Sequence, residues 1–246
     1  MFSFFKKRND RVQTDYFPIV TDIHSHILPG IDDGSPDVET SILLIKGLMD
    51  LGVKRSVATP HIIGDMYPNN SETISTALHL LKTALKEREI DFEVEAAAEY
   101  MLDGYFFELL QEKVPLLTVR DTLVLTEFPY STMPDYVEKM SFAIITDGYT
   151  PILAHPERYG YAHENYKFYN RWAELGFKLQ VNLLSLTGYY GKEVAKAGQY
   201  ILKQGLASYV ATDLHHERHL DALKDFKHRN TFKSLLSHQQ WNTEFG

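Results

Sequence analysis

"TDIHSHILPGIDDG", residues 21–34, follows the apolar run Phe17-Pro18-Ile19-Val20 and packs two histidines and three carboxylates into fourteen residues. Residues 19–23 read as a strand, and positions i and i+2 of a strand project from the same face. His24 and His26 leave this strand two positions apart, so their imidazoles can converge on one point. The plain reading is a polar strand end with a turn behind it. The sharper reading is half of a metal site, and the ends of the other strands decide between them.

Outward from this stretch the chain alternates short apolar runs with amphipathic segments. Strands are expected at 55–59, 92–98, 122–126, 150–154, 178–183 and 207–212. Helices are expected at 38–51, with Val38, Ile42, Ile45 and Met49 on one face, at 71–89, and at 103–112. Further helices are expected at 135–147, 164–175 and 192–204, stopped by Gly148, Gly176 and Gly205, and from 217 onward. The segment at 71–89 opens on Ser71-Glu72-Thr73-Ile74, a partial capping box. Counting the first, seven strands are each followed by a helix. Such alternation implies parallel strands, in an open sheet or a closed barrel. No linker or low-complexity tract divides the chain, so residues 1–246 are expected to form a single domain, with 1–16 as an N-terminal extension.

Hydrophobic residues make up 44% of the 246 and charged residues 24%, as in an ordinary globular protein. The formal charge of −8 argues against a general nucleic-acid binder, although a local cation cluster can still take a phosphorylated substrate. With no cysteine, the chain has no disulfide, thiolate metal site or cysteine nucleophile. A metal here must be bound by His, Asp and Glu. In "MFSFFKKRNDR" the basic residues follow a very short apolar run, the reverse of a secretory signal, and no stretch reaches ~18 apolar residues. The cytoplasm is the expected compartment.

The ionisable residues gather at the strand ends. The first strand ends in His24 and His26, the second in "ATPH" with His61, the third in "AAAEY" with Glu99 and the fourth in "LTEFPY" with Glu127. The fifth ends in "LAHPER" with His155 and the seventh in "ATDLHH" with Asp213 and His215. The sixth offers only Asn182. In a barrel of parallel strands these ends share the face that carries active sites. One such residue is most simply a loop anchor; six strands of seven ending in His, Asp or Glu is a metal-binding pattern suited to manganese, iron or zinc. Arg158 in "HPER" and Arg218 in "HHER" lie just past metal-ligand strands, where a guanidinium can grip phosphate oxygens bidentately. A loop salt bridge, such as Arg158 with Glu157, is the alternative. Tyr130, Tyr159 and Tyr161 can flank an aromatic substrate, a weak signal among 15 tyrosines. His216 and His219 lie nearby with no role assigned.

These segments resemble the PHP (polymerase and histidinol phosphatase) superfamily. They are most similar to the bacterial tyrosine-protein phosphatases of capsule and exopolysaccharide clusters, the CpsB or YwqE type. "DIHSHILPGIDDG", "ATPH", "AAEYMLD", "LTEFPY", "PILAHPERY", "VNLLSLTGYYG" and "ATDLHH" carry the likeness across residues 22–216. The resemblance implies a distorted seven-stranded (β/α) barrel of TIM-like, PHP type with three divalent ions, manganese first, iron or zinc as alternatives. It implies one metal on His24, His26, Glu99 and Asp213, and a second on Glu127 and His155 with Glu99 bridging. A third would take Asp33, His61 and His215; Asp33 is preferred to its neighbour Asp32 on motif position alone. Clustered divalent ions lower the pKa of a bound water from 15.7 towards ~7, giving hydroxide for attack on phosphorus without a thiol.

The activity so implied is that of a protein-tyrosine phosphatase, a phosphoric monoester hydrolase acting on an autophosphorylated bacterial tyrosine kinase that controls polysaccharide export. A small-molecule phosphatase of the histidinol phosphate kind is the alternative within the superfamily. An amidohydrolase also opens on His-x-His but usually bridges its metals with a carboxylated lysine at the fourth strand end, where this chain has Glu127. A degenerate barrel serving as a binding module conflicts with the filled ligand positions.

Overall fold

The computed structural model describes residues 16–246. The expected N-terminal extension lies outside the described residues apart from Tyr16. Among the described residues the strands are β1 (Thr21–Asp22), β2 (Arg55–Ala58), β3 (His61–Ile62), β4 (Glu93–Ala96), β5 (Glu99–Met101), β6 (Leu123–Glu127), β7 (Thr150–Ala154), β8 (Lys178–Asn182) and β9 (Ala207–Ala211). Every strand pair is parallel, as the alternation with helices requires.

The expectation of seven strands in one sheet needs correction. The strands form a three-stranded sheet, β1-β2-β4, and a six-stranded sheet, β3-β5-β6-β7-β8-β9. The expected second strand breaks at Thr59-Pro60, because Pro60 has no N–H for the ladder, and resumes at His61 as β3. The expected third strand breaks beside it, at Ala97-Ala98, between β4 and β5. Single hydrogen bonds cross the break: Thr59 N to Ser25 O at 2.8 Å, Ala97 N to Ala58 O at 2.8 Å and Glu99 N to Pro60 O at 3.0 Å. On the other side, Asp213 N donates to His24 O and His26 N to Leu214 O, both at 2.9 Å, with a parallel bridge between Ser25 and Leu214. The end of β9 is thereby tied to the end of β1.

The helices are α1 (Val38–Asp50), α2 (Ser71–Glu87), α3 (Gly104–Gln111), α4 (Val137–Thr146), α5 (Lys167–Glu174), α6 (Lys192–Lys203), α7 (Glu217–Lys224) and α8 (Phe226–Leu236). Local chemistry sets their starts. The Asp37 carboxylate caps α1 by accepting from Thr40 N. The cap of α2 is Asn70, one residue before the expected box; it accepts from Glu72 N and Thr73 N while its own N–H donates to Thr73 Oγ1. Asp103, expected as the first helical residue, instead caps α3.

Alternation along the strands divides the core. Val124, Leu153, Leu179, Val181 and Val210 join the large cluster that includes the helix faces. Leu125, Ile152, Ala154, Tyr209 and Ala211 point the other way, into a smaller cluster of strand side chains joined by Ile23, Ala97, Val119 and Phe245. The C-terminal tail seals the end of the strands away from their carboxyl ends. Phe245 packs edge-on to Tyr209 at 5.6 Å, and Asn242 Nδ2 donates to Thr21 O and Val210 O.

Candidate metal centre

Register and alternation deliver the ionisable groups to one place. Leu125 faces the inner cluster, so Glu99, opposite it in the β5–β6 ladder, and Glu127, two residues further on, face inward too. His61 is opposite Glu99 and shares its orientation. Asp213 follows Tyr209 and Ala211 at period two. His155 comes directly after inward-facing Ala154, so a regular strand would turn it out. Its backbone is left-handed, φ 34°, which turns the imidazole back towards the cluster. Asp213 is also left-handed, φ 52°. Strain of this kind in non-glycine residues persists where the surroundings enforce it, typically at functional sites.

All nine residues implied as ligands meet here. His24 Nε2 lies 3.2 Å from Glu99 Oε2 and 3.3 Å from Asp213 Oδ1, and 3.2 Å from His26 Nε2. His155 Nε2 lies 3.1 Å from Glu99 Oε1 and 3.9 Å from Glu127 Oε2. His61 Nδ1 approaches Glu99 Oε2 at 3.2 Å and Glu127 Oε1 at 3.1 Å. Asp33 Oδ1 stands 3.5 Å from His61 Nε2 and 3.6 Å from His215 Nε2. Donor atoms therefore cluster as His24/His26/Asp213, His24/Glu99/His155, His61/Glu99/Glu127 and His26/Asp33/His61/His215. Glu99 belongs to two of these groups, as do His24, His26 and His61, and it is the one carboxylate that does.

The donor set fits divalent cations. Buried polar atoms are normally hydrogen-bonded. His61 Nδ1, Glu99 Oε2 and Glu127 Oε1 are buried here without a hydrogen-bond partner, and all three belong to one donor group. Burial lowers the pKa of the His24 imidazole, but Glu99 and Asp213 outweigh it and lift the group to about 9. His26 is raised well above its usual value, because Asp32 and Glu99 overcome the same burial. Glu99 and Asp213 are held far below the usual carboxylate range, burial being overcome chiefly by His24. His215 is pushed down to about 3 by burial and by His26. The carboxylate field that favours protons on His24 and His26 equally favours a cation placed among their nitrogens, and His215 stands neutral, the form in which an imidazole ligates.

A supporting layer fixes the donors. Asp32 Oδ2 accepts from His26 Nδ1 at 2.7 Å and from His61 N at 3.2 Å, and Oδ1 accepts from Gly34 N at 3.0 Å. Asp32 thus leaves His26 Nε2 free to face the site, while half-exposed Asp33 reaches in. Gln180 Oε1 holds His24 Nδ1 at 2.8 Å. Asp213 Oδ2 accepts from Asn182 Nδ2 at 2.8 Å and Arg158 Nη1 at 2.7 Å, leaving Oδ1 for the histidines. Sequence reasoning missed Gln180 in this role. Its available signal was "LQVN", a strand whose alternate residues Gln180 and Asn182 are polar and, here, fully buried.

A cavity of about 250 Å³ opens over the cluster, with Tyr130, Arg158, Tyr190, His216 and His219 around the donors. Arg158 does not pair with Glu157, whose buried Oε1 accepts from Asn182 N. Arg218, expected beside the substrate, is exposed on the first turn of α7 and is not among the cavity residues. The helical phase that buries His219 and Leu220 turns it away. Tyr159 is fully buried, its hydroxyl bonded to Phe128 N and Ala154 O, and Tyr161 stacks behind it.

The family described as "Capsular polysaccharide synthesis, CpsB/CapC" matches residues 20–224. Tyrosine-protein phosphatase YwqE of Bacillus subtilis is 32% identical over 195 residues, 79% of this chain and 76% of that protein. Tyrosine-protein phosphatase CpsB of Streptococcus pneumoniae is 30% identical over 202 residues, 79% and 82% of the two chains. A solved structure from the pair YwqE and CpsB of the same organisms, described as unique metal-dependent tyrosine phosphatases, superposes with a TM-score of 0.75. It is 29% identical and covers 89% of this chain and 95% of that one. A histidinol phosphate phosphatase from Lactococcus lactis superposes with a TM-score of 0.54 at 14% identity, over 89% of this chain and 92% of that one, a likeness of fold alone. The chain belongs to the CpsB/CapC family of capsular polysaccharide synthesis.

Proposed function

We propose that the protein is a metal-dependent tyrosine-protein phosphatase that hydrolyses phosphotyrosine on a bacterial tyrosine kinase controlling capsule or exopolysaccharide synthesis. The observation that carries this is the convergence of nine His, Asp and Glu side chains, three of their buried atoms without a hydrogen-bond partner, on one cavity beside a guanidinium. Family membership and the phosphatase relatives supply the reaction.

His24, His26, Glu99 and Asp213 would hold one divalent ion, and Glu127 and His155 a second shared through Glu99. Asp33, His61 and His215 would hold a third. All-N/O ligation suits manganese, with iron or zinc as alternatives. When bound, such ions supply Lewis-acid stabilisation of phosphoryl charge and activate water at neutral pH. The chain's own groups do the remaining work. Asp32, Gln180 and Asn182 orient the donors. Arg158, fixed at one nitrogen by Asp213, presents the rest of its fork to a phosphate. With no cysteine, no thiol phospho-enzyme forms. Nothing in its placement supports Arg218 as a second phosphate cation.

The reading extends to architecture and setting. The two sheets form the halves of one distorted, closed barrel, supported by the Ser25–Leu214 bridge and the hydrogen bonds over the Pro60 break. The barrel is one domain that works in the cytoplasm, and no described helix is long and apolar enough to cross a membrane. Turnover of a phosphotyrosine peptide against histidinol phosphate by metal-loaded protein tests the function. The peptide should be hydrolysed far faster; preference for histidinol phosphate would replace this reading with a small-molecule phosphatase.

A further inference from the structure

Arg158 does not stand alone at the cavity. Its Cζ lies 4.5 Å from the Tyr190 ring centroid and 5.2 Å from that of Tyr130, within cation–π range of both. Each ring is itself held. Tyr190 Oη is 3.2 Å from His219 Nε2, and His219 Nδ1 is 3.2 Å from Asp213 O. The Tyr130 ring stacks over His155 at 5.7 Å with 24° between planes, its hydroxyl 3.2 Å from Nδ1. Guanidinium and rings thus make one wall, cationic at its centre and aromatic at its flanks, standing on the donor cluster.

From this geometry we infer that Tyr130 and Tyr190 are specificity-determining residues forming an aryl slot that selects phosphate esters of a ring over those of an alkyl chain. The inference rests on the phosphatase reading and names how its site distinguishes substrates. Tyr130 lies one ring layer above His155, a floor residue. A phosphate seated on the floor beside Arg158 places its ester group at the level of the two tyrosine rings. A phosphotyrosyl ring can there meet an aromatic face, in the offset or edge contacts that aromatic pairs favour. A phosphoseryl ester has no π-face to offer those rings. Both rings are partly exposed, as residues that meet a substrate must be, whereas Tyr159 is fully buried. The slot therefore comes from Tyr130 and Tyr190 and not from the Tyr159–Tyr161 stack.

Competitive inhibition of the metal-loaded enzyme by non-hydrolysable phosphonates isolates the ring from leaving-group chemistry. Benzylphosphonate should bind at least ~10-fold more tightly than propylphosphonate, a margin two aromatic contacts can supply. Tyr130→Leu and Tyr190→Leu should each cut that ratio by ~3–10-fold. Tyr130→Phe and Tyr190→Phe should retain it, because the rings and not the hydroxyls are required; they also keep the test open if a leucine variant fails to fold. Metal content and inhibition by inorganic phosphate report whether the floor is intact. A wild-type ratio near one, or a ratio that survives both leucine substitutions, overturns the slot. Failure of the wild-type enzyme to hydrolyse a phosphotyrosine peptide counts against the phosphatase reading, whereas the phosphonate ratio alone decides the slot.

Discussion

At the scale of single residues, the site separates groups that face a cation from groups that hold them. Glu99 is the sharpest case of the first kind, its two oxygens reaching His155 on one side and His24 and His61 on the other. Glu99→Gln keeps the shape and removes the charge that lets two cations sit close together. Activity should drop at least ~100-fold with loss of bound metal; a near wild-type rate at full occupancy would mean the bridge lies elsewhere. Asp32 represents the second kind. Asp32→Asn should weaken metal binding ~10–100-fold in equilibrium dialysis, because His26 Nδ1 loses its anionic partner. Unchanged affinity would show that His26 needs no such support. Arg158→Lys preserves a cation beside Asp213 but not the planar fork, so kcat should fall ~100-fold while metal stoichiometry holds. Loss of metal along with rate would recast Arg158 as a support for Asp213. Most donors were legible in the sequence because they close its apolar runs, even where, as at His61 and Glu99, the structure makes them the first residues of β3 and β5; Asp33, in the loop after β1, was legible only from the motif. Gln180 was not, because it meets His24 across 156 positions of chain and only the strand register reveals the contact.

At the scale of elements, the alternation of strands and helices gave the parallel arrangement, but not the break at Pro60. A proline after four apolar or small residues reads as a strand end; that β3 would resume at His61 depends on pairing with β5, which lies far along the chain. Helical phase was likewise hidden at α7: nothing in "HHERHL" says that His219 turns inward and Arg218 outward until Leu220 packs against the core. The loop from β1 to α1 shows how tightly an element can constrain the site. A Cβ built on Gly34 would lie 2.1 Å from His26 O and 2.4 Å from His26 Cβ, and Ser35 N donates to that same carbonyl at 2.9 Å. Gly34→Ala must therefore push the loop off His26. Overpacking of this kind costs about 1–3 kcal/mol. Thermal unfolding should come down by several degrees and metal occupancy should fall together with it. An unaltered melting temperature with full metal would mean that the loop yields freely.

At the scale of the whole molecule, the donors come from β3, β5 and β6 and from the segments that follow β1, β7 and β9, so a bound cation ties distant parts of the chain to one another. Ligands that bind only the folded state stabilise it by mass action, ~2.7 kcal/mol at a hundredfold excess over Kd. Adding manganese to stripped protein should raise the unfolding temperature by about 5–10 °C for a chain of this size. A flat response would argue that the carboxylates and imidazoles are neutralised by one another alone. The central claim is that this cluster, and no protein nucleophile, drives phosphate ester hydrolysis. Assay of phosphotyrosine peptide turnover before chelation, after exhaustive chelation and after manganese is restored tests it most directly, with metal content measured on each sample. Activity should vanish with the metal, return with it and ignore iodoacetamide throughout; full activity in metal-free protein would contradict the account.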